Sequence, residues 1–402
     1  MTDRSIRPRG VHTGLRVVEL ATELCGEQLG RLLAEQGADV VKVEPLEGAP
    51  SRAVGPWAGG VASPDTSLTF WFYNPGKRSV ALDLGGEGRE DLDALLAGAD
   101  VFLTTLRPVE LAALGLDLDA VQHANPSLVV ASVTPFGLTG PWRDRRVTDL
   151  TALAGGGPLM SCGYDDHTIP PIRPGGNQAH HLAAAQAHLG VLLALIERRA
   201  SGAGQLVDTS MHEALGVGGE LANPYWFYPR VNVQRQTARH AQPELTQPAL
   251  FECGDGTYVY FALILSDPRA WSLLVAWLDD AGLAADLTDP AYTDFAHRQA
   301  NFAHIQGIVE TFFLLRTARE AYLEGQRRGL PVGPLNAPEE VREDEHLRAR
   351  DFFVDVDVDG HQVPLMRSPI RISAFPLATP ARPPRLGQHT AEVLHELREV
   401  VP

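Results

Sequence analysis

Hydrophobic and polar positions follow two periods along the first half of the chain. Leu15-Arg16-Val17-Val18-Glu19-Leu20 is a short β-rich run, and residues 26–36 place Leu29, Leu32 and Leu33 on one helical face. Gly37 closes that helix as a C-terminal cap, and Asp39-Val40-Val41-Lys42-Val43-Glu44 is the next strand. The pattern repeats with strands over residues 79–84, 101–104 and 128–133 and a helix over 87–97. Such alternation predicts a parallel sheet with crossover helices, a doubly wound α/β domain. A long apolar helix over 178–199 then leads through a glycine turn into another strand.

The texture changes after that. Residues 222–250 are polar, with prolines and aromatics, and read as a linker. A strand over 257–265 and helices around 271–277 and 305–322 predict a smaller α+β domain. A strand over 352–358, a proline-bearing tail over 376–385 and an amphipathic helix over 388–400 end the chain.

Composition narrows the function. The 402 residues carry a formal net charge of −16, so the basic footprint of a nucleic-acid binder is missing. No apolar run is read as a membrane span, and the first ten residues lack the apolar core of a signal peptide. Cys25, Cys162 and Cys253 are too scattered for a disulfide framework or a zinc motif, which makes a reducing cytoplasm the expected setting. Lys42 and Lys77 are the only lysines; arginine supplies the remaining positive charge, as GC-rich coding would produce. The first strand is followed by no Gly-x-Gly-x-x-Gly turn, which argues against nicotinamide and flavin cofactors. No tightly bound cofactor is expected.

Candidate chemistry concentrates at residues 172–208. His180 and His181 fall in the first turn of the long helix, where unpaired N–H groups and a partial positive charge favour an anionic or carbonyl-bearing ligand and a neutral imidazole. A neutral imidazole suits a general base or acid; the alternative is an occupant of a repurposed pocket. His181 and His188 share a helical face two turns apart, too far for one metal ion. Asp149 is either a helix N-cap or a partner for a substrate group or an arginine. Arg143, Arg145 and Arg146 read as a solvated basic loop before a phosphate site.

Beyond these local readings, the opening run through Glu44 resembles the class III CoA-transferases, a family that includes formyl-CoA transferase, carnitine CoA-transferase and 2-methylacyl-CoA racemase. Asn74-Pro75-Gly76-Lys77-Arg78-Ser79-Val80-Ala81-Leu82-Asp83-Leu84, Phe136-Gly137, Gly140-Pro141, residues 190–208 and Leu386-Gly387-Gln388-His389-Thr390 match further signatures in order. The resemblance implies a Rossmann-like large domain built from both chain ends, an inserted small domain, and a homodimer of interlocked rings. The expected boundaries are 1–222 and 345–402 for the large domain, 223–255 for a linker, and 256–344 for the small domain with its return linker. It also implies coenzyme A or an acyl-CoA as substrate. Arg52, Lys77, Arg78 and Arg107 are then candidate phosphate contacts, with Leu82, Leu106, Phe136 and Gly137 in the same site.

The chain departs from that family at its centre. Its transferases carry a nucleophilic aspartate where this sequence has His180. An imidazole can form an acyl-imidazole but cannot become the aspartyl-type CoA thioester of the family cycle. The racemase branch has Gly-His-Asp where this chain has Val147-Thr148-Asp149, which argues against a two-base racemase. Three readings stay open: CoA transfer by another route, a different reaction on the same scaffold with His180 as acid or base, and an inactive subunit paired with an active homologue.

Overall fold

The computed structural model describes residues 9–219, 221–263, 265–358 and 360–400. The chain divides into two compact units, one of Met1–Leu159, Arg173–Glu220 and Asp344–Pro402, the other of Met160–Ile172 and Leu221–Glu343.

The first unit runs β1 (Arg16–Leu20), α1 (Leu24–Glu35), β2 (Asp39–Glu44), α2 (Leu68–Tyr73), β3 (Arg78–Ala81), α3 (Gly88–Ala97), β4 (Val101–Thr104), α4 (Pro108–Ala113), α5 (Leu118–Ala124), β5 (Val129–Thr134), α6 (Asp149–Gly156), α7 (Gln178–Ser201), β6 (Leu206–Ser210) and α8 (Met211–Val217). The six strands form one parallel sheet in the order β3-β2-β1-β4-β5-β6. This is the predicted α/β class. Strand order reverses between β1 and β4, and open α/β sheets bind ligands at the carboxyl ends of strands around such a switch point.

Both faces of the sheet are covered. Val17, Val40, Val101 and Val129 meet Leu29 and Leu33 of α1 and Ala183, Ala187 and Val191 of α7. On the other face Val18, Val41, Val80 and Phe102 meet Leu92, Leu95 and Leu96 of α3. Two covered faces explain why these strands read as nearly continuous apolar runs.

By length and composition α7 is apolar enough to cross a membrane, which corrects the reading that no run of the chain reaches that length. Its small residues Ala179, Ala183, Ala184, Ala187 and Ala194 line the core. They allow close packing: a Cβ at Gly190 would lie 2.7 Å from the Val207 side chain of β6.

The second unit contains α9 (Ala222–Phe227), β7 (Gln234–Gln236), β8 (Arg239–Gln242), β9 (Leu250–Glu252), β10 (Tyr258–Phe261), α10 (Pro268–Asp280), α11 (Phe295–Ala300), α12 (Phe302–Leu314), α13 (Ala318–Arg327), β11 (Val332–Pro334) and α14 (Pro338–Glu343). A three-stranded antiparallel sheet, β11-β10-β9, packs on helices around Phe251, Phe261, Trp277, Phe312 and Phe313. The stretch read as a linker carries α9 and three strands. β7 and β8 escaped notice because they are polar: Gln236 Oε1 accepts from the Thr246 N–H and hydroxyl, and Arg235 Nη2 donates to the His167 and Ile169 carbonyls. The helix expected over 305–322 is two helices. Thr317 and Glu320 form a reciprocal capping box that starts α13.

The chain then returns to the first unit through α15 (Glu345–Ala349), the hairpin β12 (Phe353–Val358) and β13 (His361–Met366), and α16 (Thr390–Val400). The Leu386–Thr390 motif seals the edge strand β3. His389 N–H donates to the Ser79 carbonyl (2.9 Å), Ser79 N–H to His389 Nδ1 (3.2 Å), and Ala81 N–H to Thr390 Oγ1 (3.0 Å). Gly387 N–H reaches Ser79 Oγ at 2.9 Å. Gly387 has φ of 65° and lies so close that a Cβ would meet that of Ala81 at 3.3 Å.

Candidate active site at the start of α7

The first turn of α7 is capped from a distance. Its N-cap residue Asn177 makes no side-chain cap bond, and Asp149 Oδ1 instead accepts the Ala179 N–H at 2.9 Å. Asp149 is the first residue of α6, whose own N-cap is Thr148 in a reciprocal pair with Thr151. The second Asp149 oxygen faces Arg173 Nε at 3.5 Å, and Arg173 Nη2 donates to the Gly176 carbonyl at 2.9 Å. Asp149 is therefore not the N-cap of its own helix; it caps α7 from α6 and faces an arginine, one of the partners the sequence left open.

His180 is 5% exposed, and its Nδ1 is enclosed with no hydrogen-bond partner. Burial lowers its pKa to about 4, against the opposing pull of Asp149. His181 is half-buried beside Tyr73, with Nε2 3.2 Å from the Tyr73 hydroxyl. That hydroxyl also accepts from Asn177 Nδ2 at 3.2 Å, so α2 pins the start of α7. Burial, then Arg31, lowers the His181 pKa.

The carboxyl edge of the sheet gathers several predicted contacts. Thr105 Oγ1, after β4, accepts the N–H groups of Thr22 (2.8 Å) and Glu23 (3.2 Å) at the entry to α1. Leu106 and Arg107 follow. Phe136 and Gly137 leave β5, and Asp208 Oδ2 holds the Leu138 N–H at 3.0 Å. Phe136, Trp142 and His212 form an aromatic cluster with ring centroids 5.5–5.8 Å apart. Arg145 stacks 4.8 Å from the Trp142 centroid. Leu82 and Leu106 are buried in the core on the α3 face of the sheet.

The four basic candidates are occupied within the protein. Arg107 pairs with Glu110 and donates to the Asp144 carbonyl. Arg78, at the opposite, N-terminal end of β3, bridges Asp39 and Glu396. Arg52 grips Glu44 through Nε (2.7 Å) and Nη2 (2.8 Å) and lies over the Phe70 ring. Lys77 bonds Glu19 at 2.8 Å and Asn74 at 2.8 Å. Lys42 bonds Glu19 and Glu27, both at 2.9 Å. Glu19, Glu27 and Glu44 thus balance Lys42, Lys77 and Arg52 beneath α1. Both lysine side chains are fully enclosed. Burial pushes Lys77 down to about 8 despite Glu19; burial also opposes the charge of Lys42, but Glu19, Glu27 and Glu44 outweigh it and raise its pKa. Gly30 makes room, since a Cβ there would fall 1.8 Å from Glu19 Oε2.

Sequence reasoning missed Tyr73, Asn177 and Arg173 as supports of the α7 start, and it missed the buried ion network. Only the second left a signal: the chain keeps lysine at two positions while using arginine everywhere else.

Known proteins share this arrangement of elements. The chain is 32% identical over 388 residues to the BbsE subunit of succinyl-CoA:(R)-benzylsuccinate CoA-transferase from Thauera aromatica, covering 95% of this chain and 93% of that one. It is 31% identical over 391 residues to the β subunit of succinyl-CoA–L-malate CoA-transferase from Chloroflexus aurantiacus, covering 96% and 93%. The crystal structure of a CaiB/BaiF family protein from Brucella suis superimposes with a TM-score of 0.84 at 29% identity, covering 97% of this chain and all of that one. The sequence profile of CoA-transferase family III matches residues 13–390. With its parallel sheet, its sealing C-terminal motif and this match, the chain belongs to CoA-transferase family III and is an enzyme of that family.

Proposed function

We propose that this chain works on a carboxylic acid and its CoA thioester as one subunit of a CoA-transferase, and that a second chain of the same fold supplies the nucleophilic carboxylate. The observation that carries this reading is the α7 start. Where the resemblance puts the nucleophilic aspartate this chain has the buried imidazole of His180, and Asp149 accepts the Ala179 N–H and faces Arg173. A carboxylate held by a backbone N–H and facing an arginine has part of its negative charge engaged, which weakens it as a nucleophile.

A second observation supports a partner chain. Leu189, Leu193 and Ile196 of α7 are 54%, 59% and 64% exposed, and they lie on one side of the helix beside edge strand β6. Contiguous exposed apolar surface of this kind fits association with another chain. Two of the relatives are themselves named as subunits. The homodimer expected from the sequence becomes, in this reading, a pairing with an aspartate-bearing homologue.

The test is CoA exchange between succinyl-CoA and a panel of acids that includes benzylsuccinate and malate. The chain alone is expected to give none. Adding a family member with aspartate at the α7 start is expected to restore transfer. Turnover by the isolated chain would overturn the proposal.

A further inference from the structure

The sequence reads His180 as a general base or acid, or as an occupant of a repurposed pocket. The atoms around its ring point elsewhere. Of its two ring nitrogens, Nδ1 is enclosed and partnerless. Nε2 also makes no hydrogen bond among the described residues, and it is the nitrogen left with access to the surface. A neutral imidazole carries one proton, on one nitrogen or the other. A proton on Nδ1 would create a buried N–H with no acceptor, a rare and costly state; a bare Nδ1 leaves an under-satisfied acceptor, which proteins tolerate more readily.

A dyad with Asp149 would give an Nδ1 proton an acceptor, but no hydrogen bond joins Nδ1 to either of its oxygens. Its Oδ1 already receives the Ala179 N–H at 2.9 Å, and its Oδ2 faces Arg173 at 3.5 Å. No Asp–His dyad forms.

We infer that His180 is a neutral hydrogen-bond donor through Nε2–H, placed at the N-terminus of α7 to hold a carboxylate or thioester carbonyl oxygen. The lone pair that a base would need sits on enclosed Nδ1, out of reach of any ligand. The helix N-terminus and the imidazole N–H act with the same sign, since both donate toward negative charge. The site where the transferases of the resemblance place a negative nucleophile is here a receptor for a negative oxygen. The identity of the ligand rests on the proposed function; the proton position does not.

Two experiments test this. Long-range proton–nitrogen correlation on histidine-labelled wild-type protein reads the tautomer directly. It is expected to show a protonated Nε2 and a bare Nδ1 for His180, unchanged from pH 8 to pH 6. A protonated Nδ1, which would signify a dyad with Asp149, or a doubly protonated ring at pH 6, would overturn the assignment. The second experiment titrates succinate and succinyl-CoA into wild type, His180→Asn and His180→Asp. Asparagine keeps a neutral donor and is expected to bind within threefold of wild type. Aspartate opposes the ligand with its own charge and is expected to bind at least tenfold more weakly. Equal binding by all three, or none by wild type, would overturn the ligand assignment. Catalytic transfer enters neither readout, so failure here is distinguishable from failure of the proposed function.

Discussion

At one edge of the six-stranded sheet the chain finishes its own work. Strand β3 is sealed by residues Leu386–Thr390, and Arg78 ties it to Glu396 of α16. At the other edge β6 carries Leu206, 39% exposed, beside the apolar stripe of α7. An unpaired strand edge is a hazard that proteins normally cover or blunt. One edge is closed within the chain and the other leaves apolar surface open, so the two halves depend on different contacts. The β3 half is held by buried ion pairs and directed hydrogen bonds. The β6 half presents exposed apolar surface, which the proposed function assigns to a partner chain.

The strongest way to break the closed half is Lys42→Met. It leaves Glu27 without its cation and Glu19 with Lys77 alone, and removing one partner of a buried pair costs about 3–5 kcal/mol. Chemical denaturation should show that loss. A shift below about 1 kcal/mol would mean that the network carries little of the stability of this half.

Leu193→Glu attacks the open half. It is expected to weaken self-association or pairing by about 2 kcal/mol, roughly 30-fold, with little change in the folding of the isolated chain. Sedimentation velocity across a concentration series checks this. A large drop in thermal midpoint without a change in association would place the stripe inside the chain's own packing.

Acid sharpens the comparison at the α7 start. The pKa of His180 is lowered to about 4 by burial, from an ordinary value of 6.5. Below 6.5 the unfolded chain takes up a proton that the folded chain refuses, so stability falls as the pH drops from about 6.5 toward 4. Between pH 7.5 and 5.5 this amounts to about 1.4 kcal/mol from His180. His181, His188 and His12, each lowered by burial first, act in the same direction. Melts at the two pH values, with and without His180→Asn, isolate the His180 share. An identical pH dependence in both proteins would show that His180 titrates normally.

The smallest expected effect is Thr390→Ala, which removes the acceptor for Ala81 N–H and costs about 1 kcal/mol. It should raise hydrogen exchange at Ala81 while leaving β6 unchanged.

Much of this architecture was legible in the sequence, for a physical reason. A parallel sheet covered on both faces writes itself as valine-rich runs, and its crossover helices as period-3.6 stripes. The family motifs added the order of the chain. What stayed hidden were contacts between residues far apart in sequence. Nothing local marks Tyr73 as the partner of His181, or Asp149 as the cap of Ala179, because each pairing depends on how α2 and α6 meet α7. Leu386–Thr390 was recognised as a motif, but its role as an edge cover followed only from its bonds to Ser79 and Ala81. Arg52 and Lys77 looked like phosphate contacts because sequence shows charge and not the carboxylate already facing it.

The two lysines have a chemical consequence. Thioesters acylate free amines without help from any catalyst, so a protein that handles them is exposed to modification by its own substrates. Here both ε-amines are enclosed and salt-bridged, and every other side-chain cation of the sequence is arginine or histidine. No lysine side chain is left on the surface of the folded chain to accept a stray acyl group.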